Sequence, residues 1–185
     1  MKRDIGGHRM YGYYKQKHKV FISFYHYDDQ KYKDYIDRYL SHNIINKSVA
    51  LGEYSSDNSD EYIKRLIREE KISDSSVIVV LVGPNTKNRK HVDWEIYAGL
   101  RSSVNGNSAL IGIFLPTMRK ASGGGYYYAD MPGRLADNIK SGYADFYDWD
   151  YAVKHFDLII ESAFNNRLAR RSKIDNSRIQ MQRNL

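Results

Sequence analysis

The segment KHVDWEIYAGL, residues 90–100, places a carboxylate beside a large aromatic ring at Glu95 and Trp94. Apolar residues recur through it at the spacing of one helical face, so it is expected to form a helix with Glu95 near its start. An acidic side chain near a helix N-terminus is favourable through the helix dipole alone. A carboxylate one step around from the buried face can also reach a crevice and act in an active site. The spacing leaves both interpretations open.

Two further groupings of side chains could carry chemistry. His91 and Glu95 are spaced i, i+4, as two metal ligands on one helix face would be, but the pattern supplies no third ligand. His26 with Asp28 or Asp29 could form an acid–base pair. The chain has no cysteine and none of the glycine-rich phosphate-binding or nucleophile-elbow motifs. We therefore expect no metal site and no resident cofactor.

Predicted strands and helices alternate along the chain. Continuous β-branched runs such as VIVVLVG are typical of strands buried on both faces. The strands are predicted at 19–25, 48–54, 77–83, 109–116 and 142–150, and the helices at 28–43, 60–76, 91–104 and 151–171. Residues 117–142, with glycine runs and a Met-Pro-Gly turn, are expected to form an irregular insertion. The pattern predicts an α/β fold with a flavodoxin-like, doubly wound five-stranded parallel sheet, order 2-1-3-4-5, and helices on both faces.

This strand order predicts where a ligand should bind. In such sheets, ligands bind beyond the carboxyl ends of the strands, where the strand order reverses, here between strands one and three. The loops after these two strands should therefore meet the first turn of the helix that carries Glu95. The loop residues expected to line this crevice are Phe24, Tyr25, His26, Asp28, Gly83, Asn85 and Thr86. Trp94 could form an aromatic wall there or fill the core beneath it.

The net charge of +7 is unevenly distributed over the 185 residues. Residues 1–19 and 165–185 each carry +5, whereas residues 20–164 carry −3. Basic arms can contact nucleic acid or acidic partners, but solvated, partly disordered tails are the simpler interpretation. The predicted units are a basic N-terminal arm (1–18), a single domain (19–165) and a basic C-terminal tail (166–185). No nucleic-acid partner is expected.

The compartment follows from what the sequence lacks. Its first residues do not contain the apolar run of a signal peptide, and its longest apolar run, VIVVLV, is too short to span a bilayer. The lack of cysteine is consistent with a reducing compartment. We therefore expect a soluble, cytoplasmic protein with no membrane partner.

Three segments together resemble a known family. They are KVFISFYHYDD (19–29), VIVVLVGPNTKNRKHVDWEIYAGL (77–100) and ALIGIFLP (109–116). Their order and spacing resemble TIR-like domains, and more narrowly the branch typified by the TIR-like component of the bacterial Thoeris antiphage system. The resemblance covers residues 19–116 well and 140–165 loosely. This chain departs from it at His91-Val92, where many members have an aromatic residue, because its tryptophan stands at position 94.

The resemblance implies a signalling function. Many TIR domains cleave NAD at the nicotinamide–ribose bond, and Thoeris-type members release a cyclised or otherwise modified ADP-ribose messenger after infection. In this chain the resemblance implies that Glu95 is catalytic and that Ser23 lines the nucleotide pocket with the other strand-one residues, Phe24, Tyr25, His26 and Asp28. NAD would be a substrate, the partners would be a second TIR domain or another copy of the chain, and the messenger would act on a downstream effector. The alternative is a non-catalytic signal-transduction module that acts through protein–protein association.

Overall fold

The computed structural model describes residues 17–47, 59–101 and 106–185. Within these residues, five parallel strands form one sheet in the order β2-β1-β3-β4-β5. The strands are β1 (His18–Ser23), β2 (Ile44–Asn46), β3 (Val77–Val82), β4 (Ala109–Phe114) and β5 (Asp145–Asp148). The predicted flavodoxin-like strand order is therefore confirmed.

The first four described helices connect successive strands, as a parallel sheet requires, and the fifth follows the last strand. They are α1 (His26–Tyr39), α2 (Asp60–Leu66), α3 (Lys90–Leu100), α4 (Gly133–Lys140) and α5 (Trp149–Asn166). Helix α2 begins where the Ser59 hydroxyl accepts a hydrogen bond from the Tyr62 N–H, a standard N-cap. It continues without a break into a π-helical segment, Ile67–Ile72. None of the helices in the described part of the chain is both long and apolar enough to cross a membrane.

The central strands divide the hydrophobic core into two halves. Successive side chains of a strand point to opposite faces of the sheet, and every residue of β3 is buried. On one face, Ile78, Val80 and Val82 pack against α2, α3 and α4. On the other, Val77, Val79 and Leu81 pack against α1 and α5. Helices therefore cover both faces, which confirms the predicted doubly wound arrangement.

Helix α3 lies close to the sheet because it carries a glycine where it crosses β3. A Cβ atom at Gly99 would lie 1.8 Å from the Ile78 Cδ1 atom. A larger residue would push the helix outward or displace the core side chain. Gly99 is one turn after Glu95, so this contact helps to set how near the carboxylate comes to the sheet.

The predicted second strand stays a prediction. Its range, 48–54, lies outside the described residues. The described strand that pairs with β1 is Ile44–Asn46, where Lys19 aligns with Ile45. The sequence analysis placed this segment in no element. Three residues with one buried apolar side chain, Ile44, are too few to show an alternating pattern.

The predicted irregular insertion at 117–142 is wrong in part, because it contains α4. Pro132 directly precedes this helix, a favourable place for a residue that lacks an N–H. Leu135 and Ala136 are buried in the core with Arg134 and Asn138 beside them. A helix of eight residues whose buried face is half polar gives a weak apolar pattern, and the adjoining Met-Pro-Gly sequence resembles a turn.

The C-terminal tail is an ordered part of the domain. The Asn138 side chain donates to the Asp175 carbonyl at 2.7 Å and accepts from the Asp175 N–H at 3.0 Å. Arg178 forms a bidentate ion pair with Asp137, with distances of 2.7 and 2.9 Å. The expectation of a solvated tail is therefore wrong for this end of the chain. Residues 1–16 of the N-terminal arm lie outside the described residues.

Candidate active site

A buried hydrogen bond joins the candidate catalytic residue to the sheet. The Ser23 hydroxyl donates to the Glu95 Oε2 atom at 2.5 Å, and both side chains are enclosed, at 1% and 4% exposure. Ser23 is the last residue of β1, so Glu95 lies at the carboxyl end of that strand. This is a short hydrogen bond between a hydroxyl and a carboxyl oxygen. It holds the Glu95 carboxylate in one orientation at the edge of the sheet where ligands of doubly wound folds bind.

Hydrogen bonds between polar side chains connect the loops after β1 and β3. Asn85 donates to the Asp28 carboxylate at 2.7 Å, and the Thr86 hydroxyl lies 3.2 Å from the Asp29 Oδ2 atom. The Gly83 N–H in turn donates to Thr86 Oγ1 at 2.8 Å. The structure therefore brings the predicted residues of the two loops together at the carboxyl ends of β1 and β3.

Asp29 lies beside the candidate site, and the sequence analysis gave it too little weight. It is 1% exposed, and its Oδ1 atom accepts no hydrogen bond from the described residues. Burial raises its pKa to about 6, although the Thr86 hydroxyl opposes this effect. A Cβ atom at Gly83 would lie 2.5 Å from Asp29 Oδ1, so only glycine leaves room for the carboxyl group. The sequence could have indicated that Asp29 is buried, because Asp29 lies on the same helical face as the apolar residues Tyr32 and Ile36.

The aromatic residues of the strand-one loop take different positions. Phe24 is buried in the core beneath α1 and α5, with its ring centroid 4.2 Å from that of His26. Burial lowers the pKa of His26. The Tyr25 ring lies under the Arg89 guanidinium, whose central carbon is 3.8 Å from the ring centroid. Arg89, which immediately precedes α3, was not predicted as a site residue, and it adds a positive charge at this edge.

His91 is held as a neutral imidazole. Burial lowers its pKa to about 4, and the Lys90 ammonium adds to this effect. Its ring centroid lies 5.2 Å from that of Trp94. The part of the chain that the structure describes contains no group of three His, Asp or Glu side chains that could hold a metal ion.

Trp94 is packed inside the protein, at 1% exposure. Its indole N–H donates to the Met181 carbonyl at 2.8 Å, and the ammonium groups of Lys64 and Lys90 lie 4.9 and 5.0 Å from its ring. It belongs to the core cluster on the α2–α4 face of the sheet. A ligand could stack on this ring only if the C-terminal segment moved away.

A buried ion pair connects α3, α4 and the C-terminal segment. Arg134 is fully buried and donates through Nε to the Asp93 Oδ1 atom at 2.9 Å. The same guanidinium donates to the side chain of Asn176 at 2.9 Å and to the carbonyl of Arg178 at 2.8 Å. The second Asp93 oxygen accepts from the Met181 N–H at 2.9 Å. Charge and hydrogen bonding are thus matched inside the protein, as buried ions require.

The end of the described chain also contacts the start of α3. The Lys90 N–H donates to the Asn184 side-chain oxygen at 2.9 Å, and the Leu185 N–H donates to the Asn88 carbonyl at 3.0 Å. The first N–H groups of a helix have no partner within the helix. Asn184 therefore supplies a cap from a distant part of the sequence, on the helix that carries Glu95.

Comparison with known proteins identifies the family. No curated protein matches the chain. The family model described as Thoeris protein ThsB, TIR-like domain, matches residues 21–120. This range is more than half of the chain and includes both Ser23 and Glu95, and the strand order agrees with a TIR-like fold. The chain therefore belongs to the ThsB TIR-like family of the Thoeris system, a family of antiphage defence signalling proteins.

Proposed function

We propose that this protein cleaves NAD at the nicotinamide–ribose bond and releases an ADP-ribose-type messenger, cyclised or otherwise modified, that acts on a downstream effector. The observation that carries the proposal is the Glu95 carboxylate, buried and fixed by Ser23 at 2.5 Å. It lies at the reversal point of a doubly wound sheet, in a chain of the ThsB TIR-like family.

The reaction needs a fixed negative charge more than an acid. The C–N bond breaks heterolytically, and nicotinamide leaves as a neutral molecule with the bonding electron pair. The ribose carbon then carries oxocarbenium-like positive charge, which a carboxylate held nearby stabilises. Water or a nucleophilic group of the same molecule then adds to that carbon and releases its proton. Glu95, oriented by Ser23, is the residue we assign to this role.

The positive charge of Arg89, at the same edge of the sheet, can bind the negatively charged pyrophosphate of NAD. Arg89 lies over the Tyr25 ring, and a guanidinium can form paired hydrogen bonds with phosphate oxygens. We assign Arg89 to the pyrophosphate of NAD. The loop residues Asp28, Asn85 and Thr86 would set the shape of the crevice through their mutual contacts.

The test is NAD turnover by purified protein, with and without extract from phage-infected cells, with products identified by mass spectrometry. Glu95→Gln keeps the shape of the side chain and removes its charge. Loss of such electrostatic stabilisation typically costs about 100-fold or more in rate. Glu70→Gln, at an exposed position of the π-helical segment, is the matched control. Equal turnover by wild type and Glu95→Gln would remove Glu95 from the mechanism.

A second candidate function is association without chemistry, and one observation favours it. Glu95 is 4% exposed and hydrogen-bonded, as expected of a residue that stabilises the fold. Tyr27 lies in the first turn of α1, just after the loop that follows β1. Its side chain is 85% exposed and could bind a second TIR domain. Sedimentation of wild type and Tyr27→Ser tests this. A protein that self-associates through Tyr27 but does not turn over NAD under either condition would support the association module instead.

A further inference from the structure

A second cleft lies between α2 and α3, and its lining shares Trp94 alone with the residues predicted for the candidate active site. It encloses about 320 Å³, within the usual size range of small-molecule sites. Its walls come from α2, the π-helical segment, α3 and the C-terminal segment, which contributes Gln180. Trp94 and Tyr97 provide aromatic surface within it.

The cleft is strongly cationic. One acidic side chain, Glu61, lines it. Four basic side chains also line it: Lys64, Arg65, Arg68 and Arg101. Lys64 is paired with Glu61 at 2.9 Å, and Arg68 with Glu69 at 2.8 Å. Within the described residues, Arg65 and Arg101 form no ion pair and lie instead over the rings of Tyr62 and Tyr97. Arg65 and Arg101 are therefore available to an anionic ligand. Arg68 can leave Glu69 at little cost, because both side chains of that pair are about half exposed.

The backbone around the cleft is unusual. Arg68 is the second residue of the π-helical segment, and π-helical turns within helices occur frequently at functional sites. Arg68 and Arg101 also line an adjoining cavity of about 340 Å³ that continues along the same helices to Ser73 and Ser108. The two arginines thus stand where the two cavities meet, with hydroxyl groups on one side and aromatic rings on the other.

We propose that this cleft binds a phosphorylated small molecule of about the size of a nucleoside diphosphate. The phosphates would lie between Arg68 and Arg101, because guanidinium groups bind phosphate oxygens in pairs. A planar base would lie toward the half-buried ring of Tyr97, which lines the cleft. The concave shape favours a small molecule over a duplex nucleic acid or a protein surface. The proposal does not depend on NAD cleavage.

The test is titration of the full chain with ADP by calorimetry. In a Trp149→Phe background, binding can also be followed through the fluorescence of Trp94, the other of the two tryptophans. The double variant Arg68→Ala, Arg101→Ala should bind ADP at least tenfold more weakly than wild type. Lys31→Ala with Arg119→Ala, two exposed basic residues elsewhere, removes the same charge and should bind as wild type does. Thermal unfolding of each variant checks that it is folded.

Three further measurements separate the alternatives. The titrations are repeated in an Arg89→Ala background, which removes the pyrophosphate contact proposed for the candidate active site. The Arg68→Ala, Arg101→Ala change should still weaken ADP binding there, so a failed NAD assay does not decide the outcome. Adenosine should bind more weakly than ADP, because it lacks the phosphates. The proposal is overturned if wild type does not bind ADP, if both double variants lose affinity equally, or if an oligonucleotide or oligoglutamate binds and ADP does not.

Discussion

The buried ion pair between Asp93 and Arg134 gives a sharp test of how the C-terminal segment is held. Arg134→Met replaces the guanidinium with an apolar chain of similar length. Asp93 then keeps its hydrogen bond from the Met181 N–H but loses its counter-charge while it remains 4% exposed. The Asn176 side chain and the Arg178 carbonyl lose their donor as well.

The expected cost follows from the burial. Removing one partner of a buried ion pair costs about 3–5 kcal/mol, because the remaining charge has neither water nor a counter-ion. The matched control is Arg178→Met, which breaks an ion pair of the same segment whose arginine side chain is 48% exposed. An exposed pair of this kind contributes about 0–1 kcal/mol. The same substitution at two arginines should therefore differ several-fold in its effect.

The assay is urea unfolding, with amide hydrogen exchange at Met181 as a local readout. Arg134→Met should lower the free energy of unfolding and expose the Met181 amide to exchange, whereas Arg178→Met should do neither to a comparable degree. Adding Asp93→Leu to Arg134→Met should recover part of the loss, because it removes the unpaired charge. Similar losses for the two arginine variants, or an unchanged Met181 amide, would refute the assignment of this ion pair as the anchor.

Two more predictions concern the packing of α3 and the charge of Asp29. Gly99→Ala should lower the free energy of unfolding by about 1–2 kcal/mol, because the added methyl group overpacks against Ile78. Ile78→Val should recover part of this loss in the double variant. If urea unfolding shows that the effects of the two substitutions are additive, the predicted contact is contradicted. Because the pKa of Asp29 is raised to about 6, its carboxyl group binds a proton more readily in the folded than in the unfolded chain. Wild type should therefore lose about 1 kcal/mol relative to Asp29→Asn between pH 5 and pH 8, and parallel pH profiles of the unfolding free energy would show that burial does not raise this pKa.

The sheet could be predicted from the sequence because its central strands are buried on both faces. A strand such as β3, with six buried residues, reads as a continuous β-branched run that no turn interrupts. Helix α4 and the C-terminal segment could not be predicted in the same way. Their contacts rely on Asn138 and Arg134 binding backbone groups, and such bonds leave no periodic pattern of apolar residues.

The site was predictable in position more than in detail. The order of the strands placed Glu95 and the loops after β1 and β3 at one edge, and the family resemblance added Ser23. The bond between Ser23 and Glu95 joins residues 72 positions apart, and no local pattern reports such a contact. Arg89 was missed because a single basic residue before a helix has no distinguishing spacing. Asp29 was undervalued because a buried carboxylate is rare unless it is paired.

Three consecutive residues of α3 explain how the carboxylate is held in place. Successive side chains of a helix point about 100° apart, so Asp93, Trp94 and Glu95 reach three different surroundings. Asp93 binds Arg134 of α4, Trp94 binds the Met181 carbonyl, and Glu95 binds Ser23 of β1. The C-terminal segment contacts the first two and caps the start of the helix through Asn184. The position of Glu95 is therefore determined by residues from both ends of the domain, and the C-terminal segment supports the candidate active site from outside the range that the family match covers.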